Sequence, residues 1–464
     1  MSDRDLTQGP VWRALTAVSA PMAFGILAVL SVGLADAYFL GQLGPDPLAA
    51  VGFIYPVIIA ITSLSIGLSA GANAIISQRI GAKSDSADAE RRVALHALLL
   101  GTALSIAVAL AFWLMAEPLF RLMGAGEGTL QEALAYAPFW ALSFPFLVGQ
   151  MMVNAVFRAH GNGAASAFIM VLAAAFGIGL NPVLIFGWGP VEQLGTAGAA
   201  IATAIGRVIA LGAALFLAVR WGFLSLRCQP FKDWRTSARE VTKIGAPAAL
   251  SNAINPAGMA LITAAVAQVG DLAVAGFGAA ARIQSVVFVP MLSLSAGIGP
   301  VVGQNWGAEK PDRAQAAVAW AWRLCALYGL GAAVLLSFFA APLAALFANG
   351  DAEVAGYTES YLRIVSWSFA GYGILVTSNA AMNGRSKAGY ALMLSLTRIA
   401  VIYVPLAWAG LWAFGYTGIL CAAVLANVFA IGGALWCLSR CGITPFGRSS
   451  RETVQGVKGK VQPG

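Results

Sequence analysis

The sequence predicts an all-α polytopic membrane protein with 12 transmembrane helices in two pseudo-symmetric six-helix lobes. Of its 464 residues, 59% are hydrophobic and only 10% are charged, whereas a soluble domain carries about 25% charged residues. Apolar runs of about 20 residues, the length that crosses a bilayer as a helix, recur about twelve times along the chain. The first half of the sequence also resembles the second half, which indicates a duplication.

Hydropathy and polar interruptions define the spans. The runs do not alternate apolar and polar residues, as strands of a membrane β-barrel would, so helices are the better interpretation. The predicted spans lie near 14–40, 48–77, 93–116, 131–157, 164–188, 196–219, 242–268, 273–303, 317–347, 354–382, 389–413 and 417–438.

The 28 Lys and Arg residues are concentrated in the N-terminus, every even-numbered loop and the C-terminus. Cytoplasmic loops of membrane proteins carry an excess of these residues, so both termini are predicted to be cytoplasmic, which requires an even number of spans. The net charge of +8 is therefore explained by topology. A basic patch for nucleic acid is not expected, because the charge is spread over many short loops.

The duplication is clearest between LSAGANAIISQRIGAK, 68–83, and LSAGIGPVVGQNWGAE, 294–309, which are offset by 226 residues. Ser143-Phe144 pairs with Ser368-Phe369, and Asn154 with Asn379, at an offset of 225. Six spans per half give both halves the same orientation, and parallel repeats of this kind frame secondary transporters. The predicted domains are the N-lobe 12–220, the cytoplasmic linker 221–241, the C-lobe 242–440 and the cytoplasmic tail 441–464.

One acidic residue lies within a predicted span. Among the 20 Asp and Glu residues, only Asp36, in LADAYFLGQLG, is flanked by apolar sequence without nearby charge. Such residues are rare within membranes and usually functional. Burial disfavours the charged form of a carboxyl group, so a proton and a cationic substrate could compete for this one negative site, which is sufficient for antiport. The alternative is that Asp36 lies at the outer end of its span and faces water.

The order and spacing of several motifs resemble the multidrug and toxic compound extrusion (MATE) transporters over roughly 12–440. The motifs include ADAYFLGQLG in span one, GLNPVLIFGWG in span five, GAAIAT in span six and ARIQSVVFVPMLSLSAGIGP in span eight. The resemblance, which is closest to the DNA-damage-inducible (DinF) branch, implies two lobes that form a V. It also implies efflux of organic, often cationic, compounds in exchange for H⁺ or Na⁺.

The resemblance also implies an ion-coupling site in the N-lobe, formed by Asp36, Asn181 and Thr203. Asn181 stands where many relatives of the DinF branch carry a second Asp, and Gly177 stands where they carry Asn. A lone carboxylate suits H⁺ better than Na⁺, although the three oxygen-bearing side chains leave weak Na⁺ binding as the alternative. No other metal site is expected.

Further residues are assigned from their positions in the spans. Pro21 lies in span one before Asp36, where a proline removes a helix hydrogen bond and permits a kink. Asn154, Gln150, Met151 and Phe157 near span four are candidates for the substrate cavity, since soft and polar side chains suit varied ligands. Packing between helices is the alternative role for each of them.

An enzyme is the least favoured class, because the sequence lacks HExxH, GxSxG and paired intramembrane acids. It also lacks a P-loop, so the predicted energy source is an ion gradient. A flippase for lipids or lipid-linked oligosaccharides is a further alternative. Such a protein is expected to use several cationic cavity residues, and only Arg207, Arg282 and Arg398 lie within spans.

The expected partners are small organic substrates and membrane lipid. No cofactor and no nucleic acid are expected, and the coupling ion is H⁺ or, alternatively, Na⁺. We expect a monomer in the inner membrane of a bacterial or archaeal cell, because the soluble loops are short and the sequence carries no organelle signal.

Overall fold

Every regular element of the computed structural model is a helix in the residues that the structure describes, 5–83, 87–188, 192–225, 231–348 and 350–446. The predicted all-α fold is therefore confirmed. Parts of the predicted linker and tail, 226–230 and 447–464, lie outside the described residues. The α-helices are α1 Val11–Leu43, α2 Pro45–Ala82, α3 Ala87–Leu122, α4 Glu127–Leu142, α5 Phe144–Ala159, α6 Gly163–Phe186, α7 Gly195–Arg220, α8 Trp234–Ala267, α9 Asp271–Val287, α10 Val289–Gly307, α11 Pro311–Phe338, α12 Ala340–Phe347, α13 Ala352–Ile364, α14 Phe369–Gly384, α15 Ala388–Leu396 and α16 Val404–Cys441.

Eight helices within the described ranges are long and apolar enough to cross a membrane, when Ala388–Cys441 is taken as one. Two bent pairs, α4 with α5 at 42° and α9 with α10 at 46°, raise the number to ten. A 3₁₀ turn, Val365–Ser368, joins α13 to α14. The last apolar run, Ala388–Cys441, is interrupted at Gly415. The total of twelve spans stays a prediction.

The interruption at Gly415 is a sharp reversal of the chain. Gly415 has φ 59° and ψ −138°, a conformation that glycine adopts without a steric penalty. The backbones of Gly410 and Gly418 come into contact across the reversal, whereas residues eight apart in a continuous helix are separated by about 12 Å. The segments before and after Gly415 therefore run as separate, closely packed helices.

Two compact units divide the chain. The first contains 20–76 and 84–253, and the second contains 254–464 together with 77–83 and the residues up to Ser19. Helices α1, α2 and α8 therefore pass from one unit to the other, after Ser19, Ile76 and Ala253 respectively. Helix α8 begins at Trp234, inside the predicted linker. The predicted lobe limits stay a prediction.

Both units contain a helix break at equivalent serines. In the first unit, α4 and α5 meet at Ser143, whose Oγ donates to the carbonyl oxygen of Trp140 at 2.6 Å. In the second unit, Ser368 Oγ donates to the carbonyl oxygen of Val365 at 2.8 Å. Each hydroxyl reaches back three residues. The duplication seen in the sequence thus extends to the positions where the backbone departs from an α-helix.

Residues before α1 are anchored within the second unit. Leu6 is 2% exposed, its N–H donates to Gln304 Oε1 at 3.0 Å, and its carbonyl oxygen accepts from Asn305 Nδ2 at 3.1 Å. Arg313 Nη1 donates to the carbonyl oxygen of Gly9 at 2.9 Å. Side chains of the second half therefore satisfy the backbone groups of this segment, which the sequence alone did not predict.

Asp5 adds an ion pair to the contacts that hold this segment. It forms an ion pair with Lys83 at 3.3 Å and accepts hydrogen bonds from Thr7 and Gln8. Partial burial acts to raise the pKa of Asp5, but these hydrogen bonds outweigh it and lower the pKa to about 2. The carboxylate is therefore ionised throughout the physiological pH range.

The reversal at Gly415 gives the first prediction. A methyl group on Gly418 would meet the backbone of Gly410, and overpacking of this kind costs about 1–3 kcal/mol. We expect Gly418→Ala to lower the apparent Tm of the detergent-solubilised protein, measured by tryptophan fluorescence.

Gly432→Ala is the matched control on the same helix, because a Cβ there meets nothing within 4 Å. It should leave the Tm unchanged or raise it slightly, since alanine favours helix. Equal Tm values for both variants would contradict the close contact at Gly418.

Candidate functional site

The intramembrane carboxylate is held by an amide from another helix. Asp36 on α1 is half-buried, and its Oδ1 accepts a hydrogen bond of 2.6 Å from Nδ2 of Asn181 on α6. Asn181 is 0% exposed. Helix α1 ends at Leu43, seven residues later, so Asp36 lies about 10 Å before the helix end. Because Asp36 is bonded to a fully buried amide, its surroundings differ from those of a carboxylate that only faces water at the end of a span.

Two further oxygens of the predicted ion-coupling site lack a partner. Within the described residues, Asn181 Oδ1 and Thr203 Oγ1 are buried and accept no hydrogen bond. An amide can donate to a carboxylate, or can turn and accept from a carboxylic acid. Carboxylate, amide and hydroxyl oxygens are also the ligands that hard cations prefer. The side chains therefore suit a protonated carboxyl or a small cation.

Arg207 adds a positive charge to this site. It lies four residues after Thr203 on α7, which is about one helical turn, and it donates to Ser143 Oγ at the break between α4 and α5. Its guanidinium lies 5.8 Å from the ring centre of Trp140. Arg207 is also close enough to Asp36 for an electrostatic attraction.

The sequence alone identified Arg207 only as one of three cations relevant to a flippase. The sequence feature that could have pointed to Arg207 was the balance between one negative and one positive side chain within the spans of one lobe. A carboxylate and a guanidinium within the apolar spans of one lobe each have a high cost of burial, and pairing lowers that cost. Asp36 and Arg207 meet this condition in the first half of the chain.

Glycines set the spacing between α6 and α7. A Cβ on Gly206 would meet the carbonyl oxygen of Ala173 and the backbone nitrogen of Gly177, so the two helices approach closely there. A Cβ on Gly177 would itself meet nothing within 4 Å. Gly177 lies four residues before Asn181 on α6, so there is open space about one helical turn from the amide.

The four candidate cavity residues all lie on α5. Phe157 is 0% exposed and its ring lies 5.6 Å from Trp221 and 6.3 Å from Phe223, which is the surrounding of a core side chain. The oxygen Asn154 Oδ1 is buried without a hydrogen bond from the described residues. The assignment to a substrate cavity stays a prediction. Of the remaining pair, Gln150 is buried and Met151 is half-buried.

Pro21 lies within a helix that continues without a break from Val11 to Leu43. The proline removes one backbone hydrogen bond from α1, two residues after the helix passes from the second unit to the first. This position suits a point of bending. The conformational role of Pro21 stays a prediction.

Among the described residues, no group of three or more His, Cys, Asp or Glu side chains could hold a metal ion. The contact between Asp36 and Asn181 is direct. Thr203 lies on the same helix as Arg207, which attracts Asp36.

Comparison with known proteins supports the internal duplication. The MatE family model matches residues 21–183 and again residues 247–409. Residue 247 lies 226 positions after residue 21, which is the offset found between the motifs. Each match begins near the start of one half of the chain.

Individual relatives match nearly the whole chain. The FAD transporter of Shewanella oneidensis is 33% identical over 457 residues, which cover 98% of this chain and 100% of the relative. The multidrug export protein MepA of Staphylococcus aureus is 25% identical over 90% of this chain and 92% of its own length.

A crystal structure shows the same architecture. The MATE transporter VcmN of Vibrio cholerae, in the bent form, is 27% identical and superimposes with a TM-score of 0.87 over 93% of this chain and 96% of its own. The predicted resemblance is thus confirmed at the level of sequence and of fold. The chain belongs to the MatE family, the multidrug and toxic compound extrusion proteins, whose members are transporters and not enzymes.

Proposed function

We propose that the protein is a secondary active transporter that exports organic compounds in exchange for H⁺, and that Asp36 takes up the proton. The observation that carries the proposal is the 2.6 Å hydrogen bond between Asp36 and the buried amide of Asn181. This contact fixes a half-buried titratable group within a membrane span of the first half of the chain. It also supplies a partner that suits both protonation states.

The exchange follows from the two states of the carboxyl group. Ionised Asp36 accepts from Asn181 Nδ2 and attracts Arg207. Protonation removes that attraction, and the carboxylic acid can donate to Asn181 Oδ1, which is free of other described partners. Binding of a proton thus favours a different set of contacts between α1, α6 and α7. A ligand shifts a conformational equilibrium only through such differential contacts.

Na⁺ antiport at the same site is the first alternative. It is supported by the two buried oxygens, Asn181 Oδ1 and Thr203 Oγ1, that lack described partners. The flippase alternative is weaker, because Arg282 on α9 is exposed. Only Arg207 and Arg398 then remain as span cations that could face a buried diphosphate.

The transported compound is supported by other observations than the coupling ion. MepA is named for multidrug export, which supports varied organic cargo, often cationic. A second candidate is an organic phosphate such as a flavin nucleotide. It is supported by the FAD transporter that matches this chain over its full length and by the positive charge of Arg207 and Arg398 within the spans.

The two kinds of cargo require different coupling. A cation competes with the proton for Asp36 directly. For an anion, proton uptake leaves Arg207 unopposed, so coupling must arise from the conformational change.

We further propose that the protein acts as a monomer in a bacterial inner membrane with both termini in the cytoplasm, as the distribution of Lys and Arg predicts.

Loss of the carboxylate tests the coupling. The wild type is first assayed with ethidium and with FAD in proteoliposomes with an imposed pH gradient. For each compound that it transports, we expect Asp36→Asn to abolish the H⁺-driven transport. The reason is that asparagine keeps the shape of the side chain but cannot titrate. Proton movement is followed with an entrapped pH-sensitive dye.

Glu192→Gln is the control, because Glu192 is exposed in a loop and should transport at the wild-type rate. Intact H⁺-coupled transport by Asp36→Asn would refute Asp36 as the coupling group. Proteoliposomes without Na⁺ identify the ion, since wild-type transport should persist there.

Substitution at Asn181 tests why the site selects H⁺. We expect Asn181→Asp to introduce Na⁺ stimulation, because it adds a second carboxylate to the oxygens around Asp36. A charge-assisted contact contributes about 1.5–3 kcal/mol, so the apparent Na⁺ affinity should rise about tenfold or more. The half-saturating Na⁺ concentration is measured in the same transport assay.

Asn162→Asp is the matched control on α6. Asn162 caps the helix by accepting from the backbone nitrogen of Ala165 at 3.0 Å, and aspartate caps a helix equally well. This variant should show no Na⁺ stimulation. Wild-type transport that already depends on Na⁺ would favour the Na⁺ alternative instead.

A further inference from the structure

The second unit contains a buried guanidinium that has no carboxylate partner. Arg398 is 8% exposed and lies in a π-helical segment, Thr397–Tyr403. Its Nε donates to Asn427 Oδ1 at 2.9 Å and its Nη1 donates to Asn255 Oδ1 at 3.0 Å. Its Nη2 donates to none of the described residues. The two amides thus take up Nε–H and one hydrogen of Nη1, and the hydrogens of Nη2 are left for a ligand.

Three departures from α-helix meet around this side chain. The first is the π-helical segment itself. The second is the 3₁₀ turn at Ser368, whose Oγ accepts from Asn427 Nδ2 at 2.8 Å. The third is the bend between α9 and α10 at Phe288. Irregular backbone at membrane depth is tolerated where it is buried in protein or lines a cavity, and broken helices form ion and substrate sites in transporters.

Aromatic rings lie beside the guanidinium. The guanidinium carbon of Arg398 is 5.6 Å from the ring centre of Tyr372. Tyr372 stacks on Phe288 with ring centres 4.1 Å apart and planes inclined by 12°. The two rings therefore form a stacked aromatic pair next to a positive charge.

The duplication shows what this cluster lacks. In the first unit, Arg207 bonds to Ser143, the equivalent of Ser368, and Asp36 supplies the opposing negative charge. At the offset of 226, the counterpart of Asp36 is Ile262, which is 0% exposed within the apolar core of the second unit. The groups that interact electrostatically with Arg398 are the side chains of Tyr361, Tyr372 and Tyr403.

A buried charge without a counter-ion costs several kcal/mol, and charges within membrane spans are usually functional. We propose that Arg398, together with Asn255 and Tyr372, forms an anion subsite that binds the phosphate of a transported organic phosphate ester. The proposal deepens the proposed function, on which it rests, by assigning the class of cargo. It also places the cargo's anionic group on a different lobe from the proton-binding carboxylate.

The geometry suits phosphate. A guanidinium is planar and binds phosphate oxygens through two parallel hydrogen bonds. The two asparagines hold the guanidinium of Arg398 in place, which reduces the entropy lost when the ligand binds. An aromatic ring attached to the phosphate would pack against the edge of the pair formed by Tyr372 and Phe288, an arrangement that aromatic rings favour. A flavin nucleotide has both groups, whereas a lipid diphosphate has only the first.

Binding to purified protein in detergent tests the subsite without transport. The probes are FAD, riboflavin, which has the same ring system without phosphate, and farnesyl diphosphate, which has phosphate on a lipid. Each is measured with the wild type, Arg398→Gln, Arg398→Lys and Arg282→Gln. Arg282 is the matched control, because it is a span arginine of the same unit with an exposed side chain.

We expect Arg398→Gln to weaken binding of FAD or farnesyl diphosphate by about tenfold or more, the effect of losing a charge-assisted contact. Riboflavin binding should change less than about threefold, and Arg282→Gln should behave as the wild type. Arg398→Lys should lie between, since it keeps the charge and loses the fork. Loss with FAD identifies a soluble cargo, and loss with the lipid diphosphate identifies a lipid headgroup.

If Arg398→Gln does not fold, the comparison of Arg398→Lys with the wild type gives the same answer. Failure of the wild type to bind either phosphate ester would overturn the proposal, as would binding that Arg398 variants leave unchanged. The two proposals are tested by different variants, because H⁺ coupling is followed with Asp36→Asn in transport and phosphate binding is followed with the Arg398 variants in detergent. Coupled transport of ethidium alone would leave the proposed function intact and refute the anion subsite.

Discussion

The satisfaction of backbone hydrogen bonds is the constraint on which this structure depends. In hydrocarbon, an unpaired N–H or C=O group costs several kcal/mol, so a chain that crosses a bilayer forms helices unless other groups replace the missing bonds. The described chain is helical for this reason. Its exceptions within the spans are few, and side chains stabilise two of them: the hydroxyls of Ser143 and Ser368 bond to the preceding turn.

Each serine break has a buried arginine nearby, and the two lobes use this arrangement differently. In the first unit, Asp36 opposes the charge of Arg207, so the pair can change its net charge by one when a proton binds. In the second unit, Ile262 replaces the acid and the charge of Arg398 is constant. A duplicated framework thus supports one centre that titrates and one that keeps a fixed positive charge. On the functions proposed for the two sites, mutations could alter ion coupling and recognition of cargo separately.

Much of the fold could be predicted from the sequence, because a membrane span requires about 20 apolar residues and leaves a strong signal. The duplication and Asp36 were visible for related reasons. The contact of Asp36 with Asn181 was expected through family resemblance, whereas Arg207 at the same site was missed. Its approach to Asp36 depends on how α6 and α7 pack at Gly206, and helix packing has no direct signature in one sequence. The π-helical segment at Arg398 was not predicted either, since nothing in TRIAVIY distinguishes a π-helix from an α-helix.

The division of α1 and α2 between the two units has a consequence for the history of the protein. A duplicated half starts as a domain that can fold by itself. Here the residues before Ala20 and those at 77–83 belong to the second unit, and the backbone of Leu6 is bonded by Gln304 and Asn305. A polypeptide that ended at the junction of the repeats would leave these segments without the surface on which they pack. Each half of the chain thus lacks part of its own packing, and the second compact unit is complete only with residues from the first half.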